Sequence, residues 1–313
     1  MCTRLVRSVL LRLLLAAPIC VLADDTLRIV VPYGPGPGLD AVARILAKQL
    51  SVVRGTPVIV DNRPGAGTVI GTEFVHHAKP DGKTVLLNGS ALALGAANNS
   101  FTFNPMTGLS PIIQVSDADS FLVIHAGLPV KSLSELIALS TSRGLNCGAV
   151  AGQYEIACRY LHSLLGENHV TVVYKGVGEA TTALYSGEVD LMFASKSMLT
   201  PMLPSGKVRL LAAATPGVAD APFADLPLLK KKWPDFVLSG LVALYAGSDT
   251  PPELVQNLNR QLNQVLSDPE VKQSLKSLGL TPVGGPPSQV TQRLIQDIRF
   301  FSTKAVNAGI AKP

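Results

Sequence analysis

Short runs of branched apolar residues alternate with glycine-rich loops and amphipathic stretches along most of this chain, and that alternation restricts it to α/β architectures. Leu27 to Val31 reads as a strand. It is followed by Gly34-Pro35-Gly36-Pro37-Gly38 and by a stretch in which Val42, Ile45, Leu46 and Leu50 share one helical face, with Asp40 at the helix start. Val58 to Val60 reads as a second strand, Asn62 to Gly67 as a turn-rich loop, Thr72 to Lys79 as a helix and Thr84 to Leu87 as a third strand. Such strand–loop–helix units with short Gly/Pro connections predict a mainly parallel sheet.

The same grammar restarts after Phe121 to Ile124. Ser132-Leu133-Ser134-Glu135 has capping-box spacing, Gly148 to Gly152 precedes a helix from Tyr154 to Leu165, and Val170 to Val173, Val189 to Phe193 and Val208 to Ala213 read as strands. A last strand is expected near Leu241 to Tyr245. Helices from Pro252, from Pro269 and from Gln289 to Asn307 end the chain. The 313 residues are enough for two α/β units. Crossovers near 118–125 and 241–246 would carry the chain out to the second unit and back, opening a cleft between the two. The expected division is 1–23 as a leader, 24–124 with 245–313 as one discontinuous domain, and 125–244 as the other.

Residues 1–23 have the pattern of a secretory signal: Arg4 and Arg7, an apolar run too short to span a bilayer, and Val21-Leu22-Ala23 ahead of Asp24. Cleavage near Ala23 would release the protein into the periplasm and take the net charge from +5 to +2, since Arg4, Arg7 and Arg12 leave with the leader. Cys147 and Cys158 remain in a compartment where disulfides persist. Their spacing alone is compatible with a bridge and with two buried small hydrophobes.

Candidate chemistry is sparse. Gly36-Pro37-Gly38-Leu39-Asp40-Ala41 fits the variant dinucleotide fingerprint, with Asp61 about twenty residues further on, so an exported α/β enzyme holding a nucleotide on loop 34–40 is one alternative. The three prolines Pro32, Pro35 and Pro37 favour a stiff loop whose amides and helix start face another ligand. There is no G-x-S-x-G, and His76, His77, His125, His162 and His169 lack zinc-ligand spacing. Lys230-Lys231-Lys232 reads as a solvated loop and not as a nucleic-acid patch. These readings predict no catalytic residue, no metal, no cofactor and no nucleic-acid partner.

Taken together and in order, several segments resemble the extracytoplasmic receptors of the tripartite tricarboxylate transporter family, the Bug-type solute-binding proteins. They are LRIVVPYGPGPGLD (27–40), DNRPGAGTVIG (61–71), AKPDGKTVLL (78–87), VYKG (173–176), SGEVDLMF (186–193) and SDPEVKQSLKSLGLTPVGG (267–285). The resemblance implies a two-lobed periplasmic-binding-protein fold of the type II, Venus flytrap kind, closing on a small carboxylated metabolite. It implies a monomer that presents its ligand to the permease subunits of a tripartite transporter; a sensor partner, or an orphan receptor without transport, is the alternative. Carried over by position, Tyr33 would wall the pocket, Gly36, Pro37 and Gly38 would form the first loop, and Asp40 would fix the helix start. Ser90 would offer a hydroxyl from the loop after the third strand. Gly152, Gln153, Tyr154, Ser195 and Lys196 would contribute from the second lobe, Lys196 by pairing a second carboxylate. Three departures stand out: Pro37 interrupts paired glycines, Thr68 occupies a usual glycine position, and Ala194-Ser195 replaces an Asp-Asn pair.

Overall fold

The computed structural model describes residues 25–307 apart from Pro37, Ala151 and residues 216–220. The expected leader and its cleavage point near Ala23 lie outside the described residues. In chain order the first part comprises β1 (Leu27–Val31), α1 (Leu39–Arg54), β2 (Val58–Asn62), α2 (Val69–His76), β3 (Thr84–Asn88), α3 (Ser90–Ala97), α4 (Pro105–Gly108) and the long β4 (Leu109–His125). Next come α5 (Leu133–Ser142), β5 (Asn146–Val150), α6 (Gln153–Leu165), β6 (Val170–Tyr174), α7 (Val177–Ser186), β7 (Leu191–Ser195), α8 (Lys196–Met202), β8 (Val208–Ala213) and α9 (Leu229–Lys232). The chain closes with β9 (Ser239–Gly247), α10 (Pro252–Ser267), α11 (Pro269–Ser277), β10 (Leu280–Pro282) and α12 (Pro287–Asn307).

The strands lie in the order β2-β1-β3-β9-β4-β7-β5-β6, with β8 and β10 also paired to β4. β1 is parallel to β2 and β3, and β5 is parallel to β6 and β7. The expectation of a mainly parallel sheet therefore holds in the wings and fails in the centre, where β4 runs antiparallel to β9, β7, β8 and β10. The reason is topological. β4 and β9 are the chain's passages between two half-sheets, not steps in a βαβ ladder. β4 pairs with β9 through Asp119 and with β7 from Ser120 onward, so one strand belongs to both halves of a two-lobed α/β fold.

Each half-sheet is covered on both faces, and side-chain alternation assigns the layers. Leu27, Ile29 and Val31 of β1 pack with Val42, Leu46 and Leu50 of α1 and with Leu258 and Leu262 of α10. Val30 between them joins Leu86, Leu92, Val290 and Leu294 on the opposite face. In the second half Leu122, Ile124 and Phe193 face α5 and α6, while Phe121, Val123 and Met192 face α7 and α8. Helix α12 returns across the first lobe and reaches the second, where Phe300 meets Tyr160 of α6 edge-on at 6.0 Å.

Local signals acted largely as written. Ser132 accepts the Glu135 N–H at 3.2 Å while the Glu135 carboxylate accepts from Lys131 N at 2.7 Å, a capping box displaced by one residue on its return arm. Two readings need correction. Helix α2 spans Val69–His76 and not Thr72–Lys79, because Lys79 precedes Pro80 and is pushed out of helical conformation. Ser90 lies not in a loop but at the first residue of α3, whose sequence SALALGAA is apolar on every side and gives no helical periodicity to read.

Cys147 of β5 and Cys158 of α6 form a disulfide with a Cα–Cα distance of 5.8 Å, both cysteines fully buried. The bridge ties the strand to the helix behind the segment carrying Gly152 and Gln153. Closing a loop of this length constrains the unfolded chain, so replacing both cysteines by alanine is expected to lower stability by about 2–3 kcal/mol in a urea titration. The midpoint should fall with little change of slope.

Candidate ligand-binding site

Three helices begin at the same place without a side-chain cap. Gly38 precedes α1, Gly89 precedes α3 and Gly152 precedes α6, and none of the three provides a side-chain hydrogen bond to its helix. Ser132, Ser195 and Asp268, by contrast, cap helices α5, α8 and α11 with their own oxygens. Gly38 at φ +86° and Gly152 at φ +112° hold backbone conformations that side-chain-bearing residues rarely adopt. Each glycine thus turns the chain sharply into its helix and leaves the first amides clear of a side chain. A helix start carries roughly half a positive charge, so three that converge make an electropositive pole without a basic residue.

The pole opens into a cavity of about 650 Å³. From the sequence-derived candidates the structure brings together Tyr33, Gly38, Ser90, Gly152 and Gln153 on its wall. Ser90 Oγ and Gln153 Oε1 are both buried and lack a hydrogen-bond partner within the protein. Buried polar atoms are normally paired, so the unpaired Ser90 hydroxyl, which can donate, marks a place for an outside acceptor, whereas Gln153 Oε1 can only accept. The Tyr33 phenol is pushed up to about 12 by desolvation and stays neutral, able to donate.

The remaining candidates have other duties. Gly36 spends its amide on Asp40 at 3.0 Å. The same Asp40 carboxylate accepts from Arg44 Nε at 2.8 Å and from Asn62 Nδ2 at 2.9 Å, so it braces loop 33–40 instead of facing the cavity. Asn62 also donates to the Tyr33 carbonyl at 3.0 Å, completing the brace. Tyr154 turns its hydroxyl toward Ser120 and Ser195, and burial raises its pKa. Ser195 caps α8 and pairs with Ser197 Oγ at 2.9 Å. Lys196 Nζ lies 5.6 Å from the centre of the Phe223 ring, away from the cavity lining, so it is not placed to pair a second carboxylate there. Pro37 lies outside the described residues.

Besides the face of α3 that runs from Ala91 to Asn98, the sequence reading missed two groups of lining residues. Ala66, Gly67 and Thr68 form one wall, and Thr68 holds φ +84° while receiving a 3.4 Å hydrogen bond from the buried Asn88. A left-handed conformation at this position gives the physical reason why glycine suits it. Ala118, Gly240, Leu241 and Val242 form the floor at the two passages between the lobes. Both passages were legible as candidate crossovers, and that was the available signal. Among the described residues no group of three or more His, Cys, Asp or Glu is placed to hold a metal ion, and no helix is long and apolar enough to cross a membrane.

The family model of the tripartite tricarboxylate transporter family receptor matches residues 42–306, which is most of the chain. The chain belongs to that family. This receptor is 29% identical over 284 residues to protein BugT of Bordetella pertussis, covering 88% of this chain and 87% of that one. Among solved structures it resembles an R. palustris protein with adipate (TM-score 0.73, 26% identity, 91% of this chain and 98% of that one). It also resembles MatC of Rhodopseudomonas palustris with bound malate (TM-score 0.70, 26% identity, 89% and 98% covered). The expected two-lobed binding-protein fold is the fold these relatives share with the receptor.

The brace on the first loop predicts an acid response. Arg44, helped by Gly36 and Asn62, holds the Asp40 carboxyl down to about 2 in the folded receptor. A depressed carboxyl pKa contributes stability above its unfolded value near 4 and loses it as pH falls toward 2. Because the Arg44 side chain is more than half exposed, solvent screening trims the contribution, and Asp40→Asn is expected to cost about 1 kcal/mol at pH 7. Denaturation curves of the two proteins taken between pH 7 and pH 2 should converge at the acid end.

Proposed function

We propose that the protein is an exported, periplasmic receptor that captures a small organic carboxylate between its lobes and presents it to the membrane subunits of a tripartite transporter. The observation that carries this reading is the convergence of three glycine-capped helix starts, those of α1, α3 and α6, on one cavity. Amides and helix dipoles of this kind stabilise a carboxylate directly. Adipate and malate in the two related structures support the same ligand chemistry. In this reading the lobes part where β4 changes partners at Asp119–Ser120 and where β9 begins at Ser239. Closure about these two passages follows the hinge motion of binding proteins.

Binding without catalysis is the reading the residues favour. A dinucleotide site would use Asp61 on a ribose, whereas here Asp61 is engaged by Arg28 and Arg63 at 2.9 Å each. The loop amide of Gly36, which such a site would offer to a pyrophosphate, is already donated to Asp40.

Thermal unfolding against a panel of mono-, di- and tricarboxylates, amino acids, amides and NAD tests the proposal. A carboxylate at about 100 times its Kd is expected to stabilise the protein by about 2.7 kcal/mol. A shift with NAD alone would overturn the receptor reading. Ser90→Ala removes a buried, unpaired hydroxyl, so it should leave the stability of the free protein unchanged or slightly raised. It should weaken the bound carboxylate about fivefold to tenfold by calorimetry.

A further inference from the structure

The cavity has two chemically different parts. At its head stand the three helix starts with Ser90 and Gln153. Beside Gly89 lie Leu39, whose Cδ1 would come within 3.5 Å of a Cβ at that glycine, and the Leu241 carbonyl at 3.4 Å. From there the lining follows one face of α3, through Ala91, Leu94, Gly95 and Asn98, and ends near Ser100. Between Ser90 and Asn98 this face runs for ~12 Å at 1.5 Å per residue. Val242 and Leu241 add apolar surface, and both are buried. Asn98 and Ser100, at the far end, are exposed, as are Tyr33, Gly38, Ala66 and Gly67 beside the head, while Leu94 is half-buried and Gly95 buried, so the body of the cavity is a small-residue groove exposed at its two ends.

We propose that this cavity selects a monocarboxylate with an uncharged, mostly apolar body, its carboxylate at the starts of α1, α3 and α6 and its body along Ala91, Leu94 and Gly95. The inference rests on the carboxylate-receptor reading and narrows it. Three helix starts supply the counter-charge for one carboxylate, and the unpaired Ser90 hydroxyl at the head can donate to it. A second charge on a six-carbon chain stops short of the exposed Asn98 and comes to rest against leucine and glycine. A desolvated charge without a partner is costly there, whether it is a carboxylate or an ammonium. A methyl group or a primary amide pays far less. By this argument short diacids and amino acids are poor ligands, although the same head group would accept their carboxylate.

The test compares four six-carbon acids that differ only at the far end: hexanoate, the monoamide of adipate, adipate and 6-aminohexanoate. Each is titrated by calorimetry into the purified protein after exhaustive dialysis. Hexanoate and the monoamide are expected to bind at least about tenfold more tightly than adipate, and 6-aminohexanoate to give no heat. Asn98→Lys, at an exposed position near the groove's end, should raise adipate affinity by about tenfold while leaving hexanoate within about threefold. Adipate or 6-aminohexanoate binding as tightly as hexanoate to the unaltered protein would overturn the inference and leave the receptor reading intact. So would binding of succinate, malate or citrate with none of the four acids bound. Absence of binding by every carboxylate tested would remove both.

Discussion

The structure depends on one strand serving two half-sheets. β4 offers its first eleven residues to β9 and its last six to β7 and β8, and the exchange at Asp119–Ser120 sets how the lobes face each other. Everything at the cavity follows from that geometry. In parallel α/β layers a ligand crevice forms beyond the carboxyl ends of the strands, where successive helices depart to opposite sides. Here β1, β3 and β5 all end at the crevice, and the helices that follow them, α1, α3 and α6, begin there. The convergence of their N-termini is therefore a consequence of topology. The glycines at 38, 89 and 152 leave the helix starts open to a ligand, where a capping side chain would have satisfied them internally.

Much of this was legible in the residues, and the failures are informative. The loop after β1 was readable because Gly-Pro spacing punctuates it and Val42, Leu46 and Leu50 mark the helix beyond. Helix α3 was not, since SALALGAA has no polar face and periodicity needs contrast; with it went the wall of the groove from Ala91 to Asn98. β4 was recognised over Phe121 to Ile124 and missed from Leu109, where two covered faces erase the alternation and Pro111 reads as a break. Ser195, a ligand candidate by resemblance, does what serine before a helix most often does, accepting the Met198 amide at 3.4 Å. Gln153 and Tyr154 are adjacent in sequence, yet one lines the cavity and the other packs toward Ser120. Sequence spacing alone does not distinguish the two faces of a helix's first turn.

The second-lobe wall is held by covalent as well as packing forces. The Cys147–Cys158 bridge encloses the segment bearing Gly152 and Gln153, and the surrounding core of Leu122, Phe193, Leu161 and Phe236 fixes β5 against α6. The first-lobe wall is held electrostatically instead, by one buried carboxylate. Asp40 gathers Gly36, Asn62 and Arg44, and through Asn62 the Tyr33 carbonyl, into a single network. Two different solutions thus serve one requirement: amides that act as a preformed anion site gain only if they need no reordering when the ligand arrives.

The passages between the lobes are anchored to the end of the chain. Arg293 of α12 reaches Asp117 of β4 at 3.0 Å, and Thr281 of β10 donates to Asp119 at 3.0 Å, so both residues flanking Ala118 are tied to the C-terminal segment. The anchoring is an ionic cluster at the edge of an apolar layer: Asp297 also meets Arg293 at 2.9 Å, yet burial pushes its carboxyl up to about 6 against that attraction. A paired acid whose pKa still rises is one for which desolvation outweighs its partner, and such pairs add little net stability. What they add is direction. A misplaced α12 would leave buried charges unmatched, whereas slippage of purely apolar neighbours would cost much less. Fixing α12 this way fixes Ala118 between two tethers, and Ala118 with Gly240 forms the floor on which the ligand groove is built.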